Sequence, residues 1–278
     1  TASNATSGGN FSTSNYNISY VNGSLAITQA NLTITANNAS TQYGLGTTLG
    51  STAFTSSGLQ NSETIGSVVL ASAGSAATNN VGTYNITASG AANGTFSASN
   101  YNISYVNGSL AITQANITVA ANDQARTYGG TNPTTGEVTL TAGTLYNGNT
   151  LGNATVASTA NATSNVGNYT LTASNQALSS GSVGNYNITY TTGNLTVNPA
   201  NLTITANSAN LTYNGSQQSV SGFTGSGFVN NETISVLTNV TAGGAGTNAG
   251  NYVTQANGTA TNYNLTFVNG SLVIGKAG

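Results

Sequence analysis

Serine, threonine and tyrosine crowd this sequence, and each carries a hydroxyl that could attack an acyl or phosphoryl centre once a base removed its proton. The base is missing. His and Cys are both 0, and Lys and Arg together number 2 against 4 Asp and Glu. Every charge can be named: Glu63, Asp123, Glu137 and Glu232 against Arg126 and Lys276. With no general base beside any hydroxyl, neither a catalytic residue nor a cofactor is expected. An intramolecular Lys-Asn isopeptide cross-link fails for the same reason, since Lys276 stands alone near the end of the sequence.

Two acids stand at matching places, Glu63 in Asn61-Ser62-Glu63-Thr64-Ile65 and Glu232 in Asn230-Asn231-Glu232-Thr233-Ile234; a third copy reads Asn147-Gly148-Asn149-Thr150-Leu151. Calcium asks for several oxygens with more than one carboxylate among them. One acid per copy, absent from one copy, predicts a solvated turn and no metal site. Phosphate binding needs clustered Lys and Arg, so nucleic acid is not an expected partner. The apolar stretches are a few residues long, far short of the ~20 that a membrane-spanning helix requires.

Asn-x-Ser/Thr sequons number about two dozen and mark candidate glycan acceptors on a secreted protein. Alternation explains much of that number, because a strand reading Asn-Ile-Thr puts Asn and Thr outside and Ile inside. The favoured acceptors are Asn22, Asn93, Asn107, Asn214, Asn257 and Asn269, each in an Asn-Gly-Ser/Thr or Asn-Gly-Thr context where a turn would expose the amide. Thr-x-Thr pairs such as Thr33/Thr35 and Thr203/Thr205 are what a polar outer face yields anyway, and they do not make the flat array an ice-binding surface needs.

The elements that would position these residues repeat. The phrase Asn15-Tyr16-Asn17-Ile18-Ser19-Tyr20 returns as Asn100-Tyr101-Asn102-Ile103-Ser104-Tyr105, Asn185-Tyr186-Asn187-Ile188-Thr189-Tyr190 and Asn262-Tyr263-Asn264-Leu265-Thr266-Phe267. The spacings of about 85, 85 and 77 residues suit one small domain per repeat rather than a solenoid rung. Leu32-Thr33-Ile34-Thr35-Ala36 and Tyr84-Asn85-Ile86-Thr87-Ala88 alternate apolar and polar residues, the pattern of a half-buried strand, as does each tyrosine phrase.

Asn22-Gly23, Asn107-Gly108 and Asn269-Gly270 lie between alternating runs and read as two-residue hairpin turns. Asn80-Val81-Gly82-Thr83-Tyr84 recurs as Asn165-Val166-Gly167-Asn168-Tyr169 and Asn248-Ala249-Gly250-Asn251-Tyr252. It reads either as a tyrosine corner, whose hydroxyl bonds back to the backbone, or as a core tyrosine after a glycine turn.

Repeats join without a linker, as in Leu25-Ala26-Ile27-Thr28-Gln29-Ala30-Asn31-Leu32, so a short, stiff joint is expected. Registering on Ala30, Ala115, Ala200 and Ala277 gives the C-terminal strands of a partial module at 1–28, full modules at 29–113 and 114–198, and a shorter one at 199–278. The sequence opens part-way through a repeat, without Met, and reads as a piece of something longer or a processed form. The fold class is all-β: a tandem array of small β-sandwich, immunoglobulin-like modules joined end to end, with β-grasp-like modules as the alternative.

The string Asn-Tyr-x-Ile-x-Tyr-x-x-Gly-x-Leu-x-Ile, followed by Ala-x-Leu-Thr-Ile-Thr-Ala-Asn and Thr127-Tyr128-Gly129, resembles the MBG/YDG-type repeats of large bacterial surface exoproteins. The resemblance covers essentially the whole chain, and Asn132-Pro133 and Ser164-Asn165-Val166-Gly167 fit it too. It departs at Asn37-Asn38-Ala39-Ser40-Thr41-Gln42-Tyr43-Gly44, where such repeats usually carry Asp and Lys. Filamentous-haemagglutinin-like adhesins carry these repeats, which implies an extracellular or cell-surface stalk, fibre or sheath filament and brings no catalytic residue.

The alternative function is a carbohydrate-binding adhesin module with exposed aromatic platforms. The expected partners are identical chains or neighbouring modules, and glycans under the alternative. Near-absent charge leaves edge strands unguarded, and the two strands of the partial module could complete a sheet in a neighbouring chain.

Overall fold

The computed structural model describes residues 1–278, almost all of whose regular structure is strand, with four one-turn 3-10 segments. Two compact units form, Thr1–Thr113 and Gln114–Gly278. No helix is long and apolar enough to cross a membrane.

In the first unit the strands are β1 (Ala30–Ala36), β2 (Ala39–Gln42), β3 (Phe54–Ser57), β4 (Ile65–Ala71), β5 (Gly82–Gly94), β6 (Tyr101–Val106) and β7 (Gly108–Thr113). They make a sandwich of two layers, β3-β1-β6 and β2-β7-β5-β4. Period-two alternation places Leu32, Ile34 and Ala36 inside, where they meet Val68, Ile86 and Leu110 of the other layer, while Asn31 and Thr33 face out. Each fully buried Leu or Ile contributes about 1.5–3 kcal/mol relative to its exposed state.

What alternation does not disclose is how the sandwich closes. β1 pairs in parallel with β6, Ala30 opposite Tyr101, and β2 pairs in parallel with β7, Ala39 opposite Leu110. Parallel neighbours need a long crossover, and here the crossover is the rest of the repeat: Asn31 and Asn102 touch across 71 residues. First and last strands are thus stitched together in both layers.

The Asn-Gly steps are not hairpin turns. β6 belongs to one layer and β7 to the other, so Asn107-Gly108 is the corner where the chain changes sheets. Neither residue has positive φ. Gly108 is required for closeness instead: a Cβ there would lie 2.5 Å from the Ala36 carbonyl oxygen. Asn269-Gly270 repeats the corner, with a Cβ at Gly270 2.4 Å from the Ala206 carbonyl oxygen.

Residues ahead of β1 also differ from expectation. Tyr16–Tyr20 and the segment after it hold no strand, and only a Gly8–Phe11 bridge and a turn at Thr13–Asn15 are regular. In the complete repeats the tyrosine phrase becomes a strand by pairing with a segment 71 or 63 residues earlier. For Tyr16 no such position stands in this sequence.

The second unit contains two sandwiches of the same plan. In one, Val138–Gly143, Ala115–Ala121 and Tyr186–Thr191 lie against a layer that includes Ala154–Ser158, Gly167–Ser174, Gly193–Asn198 and Gln124–Thr127. In the other, Phe223–Ser226, Ala200–Ala206 and Tyr263–Val268 lie against a layer that includes Ala209–Thr212, Gly270–Gly275, Gly250–Thr259 and Thr238–Gly246. Only Pro199 separates the strand ending at Asn198 from the one beginning at Ala200. A proline costs nothing there because it lies between ladders and owes no N–H to either.

The open alternative at the glycine-tyrosine phrase resolves in favour of the tyrosine corner. Tyr84, Tyr169 and Tyr252 donate their hydroxyls to the carbonyls of Asn80, Asn165 and Asn248 at 3.0, 2.8 and 3.0 Å, each four residues back. The three copies agree, so this bond belongs to the repeat.

Candidate functional site

The first tyrosine of each phrase is buried at the start of its strand: Tyr101, Tyr186 and Tyr263 are 5%, 3% and 6% exposed. Its hydroxyl sits at a hub. It accepts a loop N–H from Gln60, Tyr146 or Val229 at 2.9, 2.9 and 3.1 Å. What it meets next depends on the repeat. Tyr101 donates to Glu63 Oε2 at 2.5 Å, and Tyr263 donates to Glu232 Oε2. In the middle copy Asn149 replaces the acid and reverses the polarity, its amide donating to the Tyr186 hydroxyl at 2.9 Å.

Glu63 and Glu232 are therefore not solvated turns. Both are half-buried acceptors for a phenol, and the local sequence is silent on this because the donor lies 38 and 31 residues downstream. A carboxylate taking an O–H is among the stronger protein hydrogen bonds. It holds the Tyr101 phenol above its ordinary value through that bond. Burial first, and Glu232 second, push the Tyr263 phenol up to about 12.

Inside the second unit the same carboxylate crosses a repeat boundary. Tyr128, of Thr127-Tyr128-Gly129, donates to Glu232 Oε1 at 2.7 Å, so one acid binds a tyrosine from each side of the joint. The two rings meet edge to face with centroids 5.7 Å apart. Burial, then Glu232, raises the Tyr128 phenol as well. The Tyr128 N–H is held by the Asn198 carbonyl at 2.8 Å, which ties the turn to the strand leading into the next repeat.

Further polar contacts flank this trio. Asn262 accepts the Val166 N–H at 3.0 Å and donates to Asn165 at 2.9 Å, and Asn230 donates to the Ala162 carbonyl at 3.0 Å. Beneath them Tyr128, Val197, Ala200, Leu202, Ile204 and Tyr263 form one apolar cluster. Gly129 makes the approach feasible: its φ is +81°, and a Cβ there would lie 2.6 Å from Val229 Cβ. The Tyr-Gly motif is thus a plug, and Glu232 with Tyr263 its socket.

Arg126 lies beside the plug, 8% exposed, and meets no carboxylate. It donates to Asn132 Oδ1 at 2.7 Å, to the Thr127 carbonyl at 3.2 Å and to the Asn161 carbonyl. Asp123, its neighbour in sequence, instead accepts the Asn194 N–H at 2.8 Å. Arg126 braces loops and is not an anion site.

Three repeats match the description MBG domain (YGX type), over residues 32–111, 117–196 and 202–273. The chain belongs to the MBG domain (YGX type) family. No curated protein matches it. The Tyr-Gly pair that this family description names stands at Tyr43-Gly44 and Tyr128-Gly129.

Elsewhere in this MBG array chemistry is sparse. No group of three or more His, Cys, Asp or Glu stands together. A cavity of about 620 Å³ is lined by residues around Glu137, Leu151 and Ala177–Ser179 and has no aromatic ring in its wall. Asn22, Asn93, Asn107, Asn214, Asn257 and Asn269 are all exposed. Their settings differ from the expected turns: Asn93 and Asn257 lie in strands, and Asn107 and Asn269 at the sheet-switching corners.

Proposed function

We propose that this MBG array is an extracellular or cell-surface structural region that forms an adhesin stalk, surface fibre or sheath filament and carries no catalysis. The observation behind this reading is the joint of Tyr128, Glu232 and Tyr263. A charge-assisted contact that fixes one repeat against the next has little purpose in an enzyme or a lone binding module. It suits a chain that must transmit position or tension from repeat to repeat. Parallel pairing of first and last strands supports the same reading, because both ends of a repeat are then stapled together within each layer.

The six exposed asparagines are proposed glycan acceptors, and glycans on a nearly uncharged surface would keep neighbouring fibres apart. A glycan array with the whole chain tests the reading: a spacer leaves every spot blank. Saturable binding of a defined sugar would replace it with a carbohydrate-recognising module.

A further inference from the structure

The middle repeat has a repeat before it and a repeat after it in the chain. Its first strand, Ala115–Ala121, runs parallel to Tyr186–Thr191, with Ala115 opposite Tyr186 and Ala120 opposite Thr191. Beyond a short corner the same two segments pair in parallel again in the other layer, Gln124 opposite Leu195 and Thr127 opposite Asn198. The segment by which the chain enters the repeat is thus bonded along its length to the segment by which it leaves.

Entry and exit lie at opposite poles of the repeat. At the entry, the Tyr186 hydroxyl accepts the Tyr146 N–H and the Asn149 amide, each at 2.9 Å, in the loops that precede strand Ala154–Ser158. At the exit, the Gly129 N–H donates to the Ala162 carbonyl at 3.2 Å, in the loop that follows that strand. Leu195 packs in the repeat's own core with Ala121 and Leu171, while Val197, further along the same strand, joins Ala200, Leu202 and Tyr263 of the next repeat. The chain therefore passes its corner without doubling back.

At the corner, where the pairing changes layers, a side chain carries the connection. Asp123 accepts the Asn194 N–H at 2.8 Å. The other repeats hold the same place with Asn38, which accepts the Ser109 N–H at 2.8 Å, and with Ser208, which accepts the Ser271 N–H at 3.0 Å. The acceptor differs and the bond recurs. In the middle repeat the acceptor is charged, which strengthens it. The Asn187 amide adds a cross-strand bond to Asn116 at 2.9 Å.

We propose that each repeat is a shear clamp, a load-bearing unit that resists extension along the chain. Tension drawn through Ala115 and Asn198 slides the two paired segments past each other in opposite directions. The ladder bonds in both layers and the corner bond then carry load together. Force that parts the same segments from one end meets those bonds one at a time. Residues between the two segments complete the core but lie off the direct path of tension. Resistance to such force is set by the barrier to unfolding rather than by equilibrium stability. The clamp deepens the fibre reading above and rests on it for its purpose.

The chain has no Cys, so introduced thiols fix where force is applied. Handles on Gln114→Cys and Pro199→Cys, both exposed positions, pull the middle repeat along its ladders within the whole chain. Handles on Gln114→Cys and Val183→Cys peel the same ladders from the entry end, where the Gln114 amide lies against the Gly184 carbonyl. Optical-tweezer pulling at one speed should give a rupture force several-fold higher along the ladders than in peeling, with the chain between the first pair of handles released in a single step. Asp123→Ala, at an exposed position, should lower the force along the ladders and leave the peeling force unaltered. Equal forces in the two directions, or a force along the ladders indifferent to Asp123→Ala, overturns the clamp. A blank glycan array beside equal forces would leave the spacer reading standing, whereas sugar binding beside a strong clamp would remove that reading alone.

Discussion

Tyr128 reaches across a repeat boundary to Glu232, 104 residues away in sequence, and bonds to the carboxylate oxygen that Tyr263 leaves free. One acid in a chain with 4 acidic residues thus serves two phenols from two repeats. Low charge does not make electrostatics unimportant here. It concentrates it where a half-buried carboxylate meets buried phenols, at Glu232 and at Glu63.

Removing that acid should cost more than removing its counterpart. Glu232→Ala strands two buried phenols, while Glu63→Ala strands one. Each lost bond to a charged acceptor is worth about 1.5–3 kcal/mol. Urea unfolding of the whole chain should show a loss in Glu232→Ala roughly twice that in Glu63→Ala; equal losses would mean that Tyr128 contributes nothing.

The glycine of the plug should be as sensitive as the acid. Gly129→Ala forces a Cβ against Val229 and places a non-glycine residue at φ +81°. The pairing of Val229→Ala with Gly129→Ala tests the cause. Val229→Ala should restore part of the melting temperature lost in Gly129→Ala, because it removes the colliding γ-methyl groups while the contact with Cβ of residue 229 and the backbone strain remain.

Tyrosine corners should act alike in all repeats. Tyr84→Phe, Tyr169→Phe and Tyr252→Phe each delete one hydroxyl bond to a carbonyl four residues back, at a cost of about 1 kcal/mol. Their melting shifts should agree with one another. A shift in one alone would show that the bond is not a property of the repeat.

The alkaline limb carries the sign of the raised phenols. Tyr263, raised to about 12 in the folded chain, favours folding fully below the ordinary tyrosine value of 10.0 and loses that contribution as pH climbs through about 12. Melting temperature should be level from about pH 6 to 9, since few groups titrate there, and then fall. In Tyr263→Phe the fall above pH 10 should be shallower, which a thermal melt series resolves.

Much of the fold was legible because alternation is local. Leu32, Ile34 and Ala36 announce an inward face by their spacing, and the two-layer sandwich follows from several such faces. The tyrosine corner was legible as one of two readings, since its partner is four residues away. Parallel pairing was not, because Ala30 meets Tyr101 through nothing a window of residues can display. The same distance hid the role of Glu63 and Glu232: turn-like neighbours suggested solvent, and the tyrosines that claim them come from other strands. Asn-Gly misled for a different reason. The glycine in Asn107-Gly108 is needed for close backbone approach, and the same two letters are equally suited to a turn with positive φ.

The joint itself is best tested by distance. Spin labels on Ser174→Cys and Asn251→Cys, exposed strand positions in the two repeats that flank it, would be the chain's sole thiols. Pulsed electron-electron resonance should give one narrow distance distribution in the otherwise unaltered chain and a broad one after Glu232→Ala, with each repeat still folded by circular dichroism. A distribution already broad before that change, or one that stays narrow after it, would contradict the claim that Tyr128, Glu232 and Tyr263 lock one repeat to the next.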